Sequence, residues 1–315
     1  MLPDRVDPHA AVSIALAFPS LRSERLAHLI FVVVCGLWGS SFILMKWARP
    51  AFGPVSVGAF RIVGGAMLLL AIWRLVPGDR RPTGLRRRHA PRVLFLVVVN
   101  FALPYSLQPY LIGLYGDSAF FGMFVSLVPL VTLLIAVPLV GERPTPRQIV
   151  GVLGGLVCLL ALVGVGAAKR IAPADLALAL LIPLAYALSN TLIKRWFSGV
   201  APLPLTAIAL SAAGLAILPA AVALEPMPGP RETPGFWPAV ASLAVLGPLC
   251  TGLAIFLFYR LIQWKGPIYA GMVTYIIPLG ALAWGWADGE SITPLQLLAL
   301  LGVLAMTALV QSAKK

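Results

Sequence analysis

Long apolar runs alternate with short polar segments along almost the whole chain. Several of these runs reach about 20 residues, which is the length that a helix needs to cross a bilayer. Strands of a membrane barrel would be short and would alternate in polarity, so the runs predict helices. We therefore predict an all-α polytopic membrane protein with ten transmembrane helices. The predicted spans are 27–47, 54–76, 91–112, 118–140, 147–167, 174–194, 202–224, 237–259, 266–287 and 293–312.

Two turns in the chain share one pattern. Residues 141–151 read GERPTPRQIVG and residues 289–299 read GESITPLQLLA, with Glu, Thr, Pro and Gln at equivalent places 148 positions apart. Further matches lie at nearly the same separation, and Pro129 matches Pro278. Five predicted spans separate the two turns. Because five is odd, the turns face opposite sides of the membrane, and the pattern predicts two inverted five-helix repeats, as in many secondary transporters.

Composition excludes a soluble domain, because the chain is 60% hydrophobic and only 11% charged, whereas soluble domains carry about 25% charged residues. The net charge of +13 therefore does not indicate nucleic-acid binding, since the basic residues occupy short segments between apolar runs. The three cysteines all lie within apolar runs. Their odd number and placement predict no disulfide framework.

The distribution of the 24 Lys and Arg residues predicts the orientation in the membrane. Arg61 lies within the second span, and 18 of the others fall on the side that holds both termini. The five on the opposite side are Lys46, Arg49, Lys169, Arg170 and Arg231. The positive-inside rule thus predicts that both termini are cytoplasmic and that residues 1–26 form a cytoplasmic N-terminal segment.

Several segments carry a family resemblance. They are GLWGSSF in the first span, Arg61 in the second, SLVPLVTLLIAVPLVGERPTPRQIVG across the fourth and fifth, and YIIPLGALAWGWADGESITPLQ near the C-terminus. Together they resemble the EamA-type domains of the drug/metabolite transporter superfamily. The resemblance covers both halves and implies EamA-type repeats at 27–167 and 174–312. It implies a ten-helix carrier of the bacterial inner membrane that works by alternating access, often exporting amino acids, and it supplies no catalytic motif.

Carriers with inverted repeats bind substrate near the bilayer midplane, between the halves. Phe101, Tyr105 and Gln108 have the spacing of one helix face in the third span, and Tyr186 and Asn190 have it in the sixth. The candidate substrate-binding residues are Trp38, Ser41, Asn100, Phe101, Tyr105, Gln108, Met123, Ser126, Tyr186, Asn190, Met272 and Tyr275, with Thr251 as a further candidate. Helix packing is the competing interpretation for each of them. Pro129 and Pro278 are candidate hinges that gate access.

Arg61 is the one charged residue placed well inside a predicted span. Charges within the membrane commonly mark functional sites, and this one could attract a substrate carboxylate. It could equally extend outward and tie helices together. Similar proteins have an arginine here despite different substrates, which favours the structural role. None of the 11 acidic residues lies in the middle of a span, which disfavours cationic substrates and removes the obvious proton carrier.

These features predict a secondary transporter that exports small organic metabolites, with amino acids, aromatic ones included, as the favoured class. The alternatives are a channel, a membrane enzyme, a non-transporting scaffold or receptor, and a carrier of nucleotide sugars or phosphorylated compounds. Of the three histidines, His9 and His89 lie outside the predicted spans and His28 lies at the very start of the first, so we expect no enzyme activity, metal or cofactor. Expected partners are the small-molecule substrate and membrane lipids, without nucleic acid, and the oligomeric state is open.

Overall fold

The computed structural model describes residues 20–75, 84–116, 118–141, 144–163, 171–226, 229–230, 233–289 and 294–311. The side chains of some residues inside the helices, Met123 and Ser126 among them, lie outside this description. Every regular element in the described part of the chain is helical, which agrees with the predicted fold class.

The described part of the first half contains seven α-helices and three short irregular turns. In chain order they are α1 (Ser20–Ala48), α2 (Pro54–Leu75), a 3-10 turn (Arg87–His89), α3 (Ala90–Leu96), a π-helical turn (Val97–Ala102), α4 (Leu103–Tyr115), α5 (Ser118–Phe124), a 3-10 turn (Val125–Leu127), α6 (Val128–Val140) and α7 (Pro146–Val163). The π-helical turn falls within the third predicted span, and the 3-10 turn at Val125–Leu127 falls within the fourth.

The second half has a similar order. It contains α8 (Pro173–Phe197), α9 (Pro202–Leu224), α10 (Phe236–Leu246), a second π-helical turn (Pro248–Leu253), α11 (Ala254–Lys265), α12 (Pro267–Gly271), α13 (Val273–Ala287) and α14 (Pro294–Gln311). The two π turns interrupt the third and eighth predicted spans, which the repeat pattern makes equivalent.

Proline and glycine mark many of these helix boundaries. Proline begins α2, α8 and α9, where its missing N–H removes no intrahelical hydrogen bond and its fixed φ suits the first turn. Gly116 and Gly141, both with φ of 71°, follow α4 and α6 in the left-handed conformation. That conformation lets a helix end within one residue, because glycine has no Cβ to clash.

Within the described residues, seven helical stretches are long and apolar enough to cross a membrane by length and composition. They are Glu24–Ala48, Pro54–Leu75, Arg87–Tyr115, Pro173–Phe197, Pro202–Leu224, Phe236–Lys265 and Pro267–Ala287. The other three predicted spans coincide with α5 and α6, which a 3-10 turn separates, and with α7 and α14, of 18 residues each. A multi-pass membrane protein is confirmed, and ten crossings remain a prediction.

Helices of each half pack against helices of the other half, and the two sets of contacts are equivalent. Helix α1 packs on α13, and its equivalent α8 packs on α6, the equivalent of α13. Helix α1 also packs along α10 and α11, as α8 packs on α4. Two further pairs, α2 with α9 and α7 with α14, join equivalent helices to each other. A two-fold relation between the two repeats produces this reciprocal set of contacts.

Polar contacts tie the two ends of the bundle. Glu24 near the start of α1 pairs with Lys265 at the end of α11, and we call this the Lys265 end. At the other end of α1, Lys46 pairs with Asp288 after α13, which defines the Lys46 end. There the Glu225 carboxylate accepts hydrogen bonds from the backbone N–H groups of Val55 (2.8 Å) and Ser56 (2.7 Å). A carboxylate at a helix N-terminus is favourable, so Glu225 joins α9 to α2 across the halves.

Candidate functional site

A partly open cavity lies between the halves. Both halves contribute to its wall, which combines aromatic rings, amide side chains and one cation. The lining residues are Trp38, Ser41, Phe42, Arg61, Asn100, Tyr105, Gln108, Val125, Tyr186, Asn190, Ile255, Phe258, Tyr259, Thr274 and Ile277. An apolar wall with a few polar groups is typical of sites that bind small organic molecules.

Arg61 enters the cavity wall from α2 and is only 3% exposed. Its Nε donates to the Thr251 hydroxyl at 3.1 Å, and its Nη1 lies 3.3 Å from the Met45 sulfur. The guanidinium carbon lies 4.0 Å above the centre of the Tyr105 ring, which is cation–π geometry. The residue is therefore held toward the cavity by neighbours on three different helices.

Glycines allow the close backbone approach that places Arg61 there. A Cβ added at Gly58 would lie 2.6 Å from the Tyr105 carbonyl oxygen, and one added at Gly65 would lie 2.8 Å from the Gly252 nitrogen. Both distances are shorter than van der Waals contact, so only glycine fits. Helix α2 thus packs against α4 and the second π turn, with Arg61 between the two contacts.

The paired π turns place polar side chains at the centre of the bundle. Asn100 lies in the first π turn, and its Nδ2 donates to the Tyr259 hydroxyl at 3.1 Å. Thr251 lies in the second and donates to the Leu246 carbonyl at 2.9 Å while accepting the bond from Arg61. A π turn leaves backbone groups out of the regular ladder and often occurs at functional sites.

The remaining wall is built from rings and amides. Trp38 and Phe258 pack with ring centres 4.6 Å apart. The Gln108 side chain interacts with the Tyr186 hydroxyl. Asn190 is 4% exposed and lines the cavity, yet its amide has no hydrogen bond within the described part of the chain. A buried amide without a protein partner is available to a ligand.

The structure brings many of the predicted residues to this one cavity. Trp38, Ser41 and Asn100 line it together with Tyr105, Gln108, Tyr186 and Asn190. Their grouping is a structural finding, and their binding of substrate stays a prediction. The side chains of Met123 and Ser126 lie outside the described residues, so their placement is left as predicted.

Three predicted residues lie elsewhere. The Tyr275 hydroxyl donates to the Val152 carbonyl at 2.9 Å, and Tyr275 atoms occupy the space beside Gly155, so this side chain packs on α7. Phe101 is fully buried and lies edge-on to Tyr105. Met272 is fully buried in the turn between α12 and α13. None of the three is among the residues that line the cavity, and their binding of substrate stays a prediction.

The two candidate hinge prolines have different local settings. Pro129 occupies the first turn of α6, directly after a 3-10 turn, whereas Pro278 lies in the interior of α13. Only the interior position interrupts an established helical ladder. The α-carbon of Pro129 lies 4.0 Å from the Cβ position of Gly271, where the fourth and ninth predicted spans cross. Their role as hinges remains a prediction.

Tyr259 and Phe258 are cavity residues that the prediction missed. Tyr259 follows Thr251 by eight positions, just as Gln108 follows Asn100 by eight. The two π turns begin 151 positions apart, so applying the repeat to the third and eighth spans would have matched Tyr259 with Gln108. Among the described residues, no group of His, Cys, Asp or Glu is arranged to hold a metal ion.

Comparisons with known proteins agree with the two-repeat pattern. A model of the EamA-like transporter family matches residues 25–164 and again residues 175–311. Protein PecM of Dickeya dadantii (strain 3937) is 24% identical over 273 residues, which are 83% of this chain and 84% of that protein. A solved crystal structure matches with a TM-score of 0.71 at 20% identity and covers 91% of this chain and 97% of that one. At this identity the structural match shows the fold alone.

Proposed function

Since this chain belongs to the EamA-like transporter family, we propose that it exports small organic metabolites across the bacterial inner membrane, with amino acids, aromatic ones included, as the favoured class. Transport proceeds by alternating access around the cavity between the halves. The observation that carries the proposal is that residues from both repeats meet at one partly open cavity. A site shared between two repeats can be exposed to either side by their relative rocking.

The wall chemistry supports this class of solute. The rings of Trp38, Phe258 and Tyr186 offer area for an apolar or aromatic side chain, and the amides of Gln108 and Asn190 offer hydrogen bonds for its polar end. Nucleotide sugars and phosphorylated compounds fit less well, because Arg61 is the one cation among the lining residues. The Asn190 amide, which has no hydrogen bond within the described part of the chain, is available to a bound solute.

The test is solute flux in liposomes that contain the purified protein. We expect counterflow of labelled phenylalanine and of other amino acids above the rate in protein-free liposomes. Replacing Asn190→Ala should lower flux at low substrate concentration about fivefold or more, because an unmade buried hydrogen bond costs about 1–3 kcal/mol. The Ser189→Ala variant is a matched control, since this neighbouring hydroxyl is buried, lacks a hydrogen-bond partner and is not among the lining residues.

Two results would count against the proposal. Absence of flux for every amino acid in the screen would remove the proposed substrate class. Equal flux from the wild type and from Asn190→Ala would remove this cavity as the site of recognition.

A further inference from the structure

The cavity wall carries one positive charge and no negative charge among its lining residues. Arg61 is that charge, and it is almost completely buried. Its two hydrogen-bond acceptors are the neutral Thr251 hydroxyl and the weakly accepting Met45 sulfur. A guanidinium has five N–H donors, so these neighbours leave part of its donor capacity unused.

The acidic residues of the described chain are all engaged elsewhere. Glu24 pairs with Lys265, and Asp288 pairs with Lys46. Asp175 accepts the hydroxyl of Tyr115 at 2.6 Å, and Glu225 caps the first turn of α2. In the part of the chain that the structure describes, no carboxylate is paired with Arg61.

A buried cation that has lost water and gained no anion is costly. The Tyr105 ring recovers part of that cost through the cation–π contact. A carboxylate would recover more, because its two oxygens match the guanidinium fork in a bidentate pair. A solute group with a charge of −1 would balance the single positive charge of the wall. A phosphate monoester would bring additional negative charge into an apolar wall.

A zwitterion leaves the charge of this cavity unbalanced. Its carboxylate would cancel the charge of Arg61, but its ammonium would add a second positive charge in a wall without a carboxylate. Rings and amide oxygens offer such an ammonium only weaker, neutral contacts. Recognition thus depends on the carboxylate, and the ammonium adds little.

We propose that Arg61 binds the carboxylate of the transported solute, so that the cavity selects small monocarboxylates with an apolar or aromatic body and does not require an amino group. The proposal rests on the proposed function, in that it takes this cavity as the transport site. It assigns Arg61 a substrate-contacting role, whereas the sequence favoured a structural one.

The test compares ligands that differ in one charge. Wild-type protein in detergent is titrated with 3-phenylpropionate, its amide 3-phenylpropionamide, phenylalanine and phenethylamine, and binding is measured as ligand-induced thermal stabilisation. We expect the acid to bind at least tenfold more tightly than the amide and phenethylamine, and at least as tightly as phenylalanine. Equal affinity of acid and amide, tighter binding of the amine, or no thermal stabilisation by the acid would overturn the proposal.

Variants then assign the charge dependence to one residue. Arg61→Gln should remove the preference for acid over amide, and Arg61→Lys should restore it in part, because an ammonium keeps the charge but not the fork. Arg49→Gln is the matched control. Arg49 is a partly buried arginine that donates to the Phe52 carbonyl and is not among the lining residues, so its removal should preserve the preference. If Arg61→Gln does not fold, the wild-type comparison of acid and amide decides.

The two proposals fail in different ways. If the acid binds more tightly than the amide but no solute is transported, the result counts against transport and leaves the Arg61 assignment standing. Flux of amino acids with equal affinity for acid and amide would overturn the Arg61 assignment and leave transport standing.

Discussion

Asp288 lies directly after α13 and joins the ninth predicted span to the first. Its Oδ2 lies 2.7 Å from the Lys46 Nζ, and its Oδ1 accepts a hydrogen bond from the Trp47 indole at 2.9 Å. These bonds, the one from Lys46 foremost, hold the pKa of Asp288 below its usual value. One short side chain therefore closes the Lys46 end of the contact between α1 and α13.

The lowered pKa of Asp288 predicts a loss of stability in acid. A carboxyl whose pKa is lower in the folded than in the unfolded protein stabilises the fold above its unfolded pKa, and this stabilisation disappears as pH falls through the folded pKa. We expect Asp288→Asn to lower the melting temperature by up to about 2 °C at pH 5–7, since partly exposed pairs contribute about 1 kcal/mol or less. The difference from the wild type should shrink as the pH falls below the unfolded aspartate pKa of about 3.9 and through the lower folded pKa. A difference that grows on acidification would contradict this assignment.

The two halves depart from regular α-helical structure at equivalent places. Each repeat interrupts its third predicted span with a six-residue π turn, at Val97–Ala102 and at Pro248–Leu253. The extra residue in such a turn changes the face that the following helix presents. This change is what turns Tyr105 and Gln108 in one half, and Phe258 and Tyr259 in the other, toward the same cavity.

Helices α1 and α13 meet backbone to backbone at Gly39 and Gly280. A Cβ added at Gly39 would lie 2.9 Å from the Gly280 α-carbon, whereas one added at Gly36, almost a turn earlier on α1, would meet nothing within 4 Å. We expect Gly39→Ala to force the two helices apart and to lower the melting temperature and the flux. Overpacking of this kind typically costs about 1–3 kcal/mol.

Gly36→Ala is the matched control for this helix contact. It makes the same change on the same helix, in open space, and alanine is the better helix former by about 1 kcal/mol. Thermal unfolding and flux should therefore be unchanged or improved. Equal effects of the two substitutions would show that the close approach of α1 and α13 is not important for the fold.

At the scale of the whole molecule, the two repeats enclose a site that neither contains alone. The π turn of one half supplies Asn100, and the hydroxyl it bonds belongs to Tyr259 of the other half. Arg61 of the first half is likewise bonded to Thr251 of the second. The alternating access proposed above would have to break or remake these contacts, so the polar centre of the cavity would also be where the halves are coupled.

The orientation in the membrane can be tested at the two ends of the bundle. The distribution of basic residues predicts that the segment before α3 is cytoplasmic and that the segment before α10 is external. Arg87→Cys and Pro234→Cys place a single exposed thiol in each segment, after Cys35, Cys158 and Cys250 have been replaced with alanine. In intact cells an impermeant maleimide should label position 234, and position 87 only after permeabilisation. The reverse pattern would invert the topology.

The sequence by itself determined the membrane class, the helical architecture and the presence of two repeats. These properties follow from features that act locally, since an apolar run of about 20 residues must satisfy its backbone hydrogen bonds as a helix within lipid. It also indicated the central cavity residues Tyr105, Gln108, Tyr186 and Asn190, because buried polar groups are few in an apolar chain and each needs a partner.

Only the tertiary structure decided which way the apolar and aromatic side chains point. Lipid and protein interior are both apolar, so the pattern along a membrane helix does not distinguish a cavity face from a packing face. Tyr275 thus packs on α7, where the Val152 carbonyl accepts its hydroxyl. Phe101 leaves the face of Tyr105 and Gln108, because the π turn shifts the helical phase between them. The setting of Arg61 likewise depends on glycine contacts with α4 and the second π turn, which bring together residues far apart in the chain.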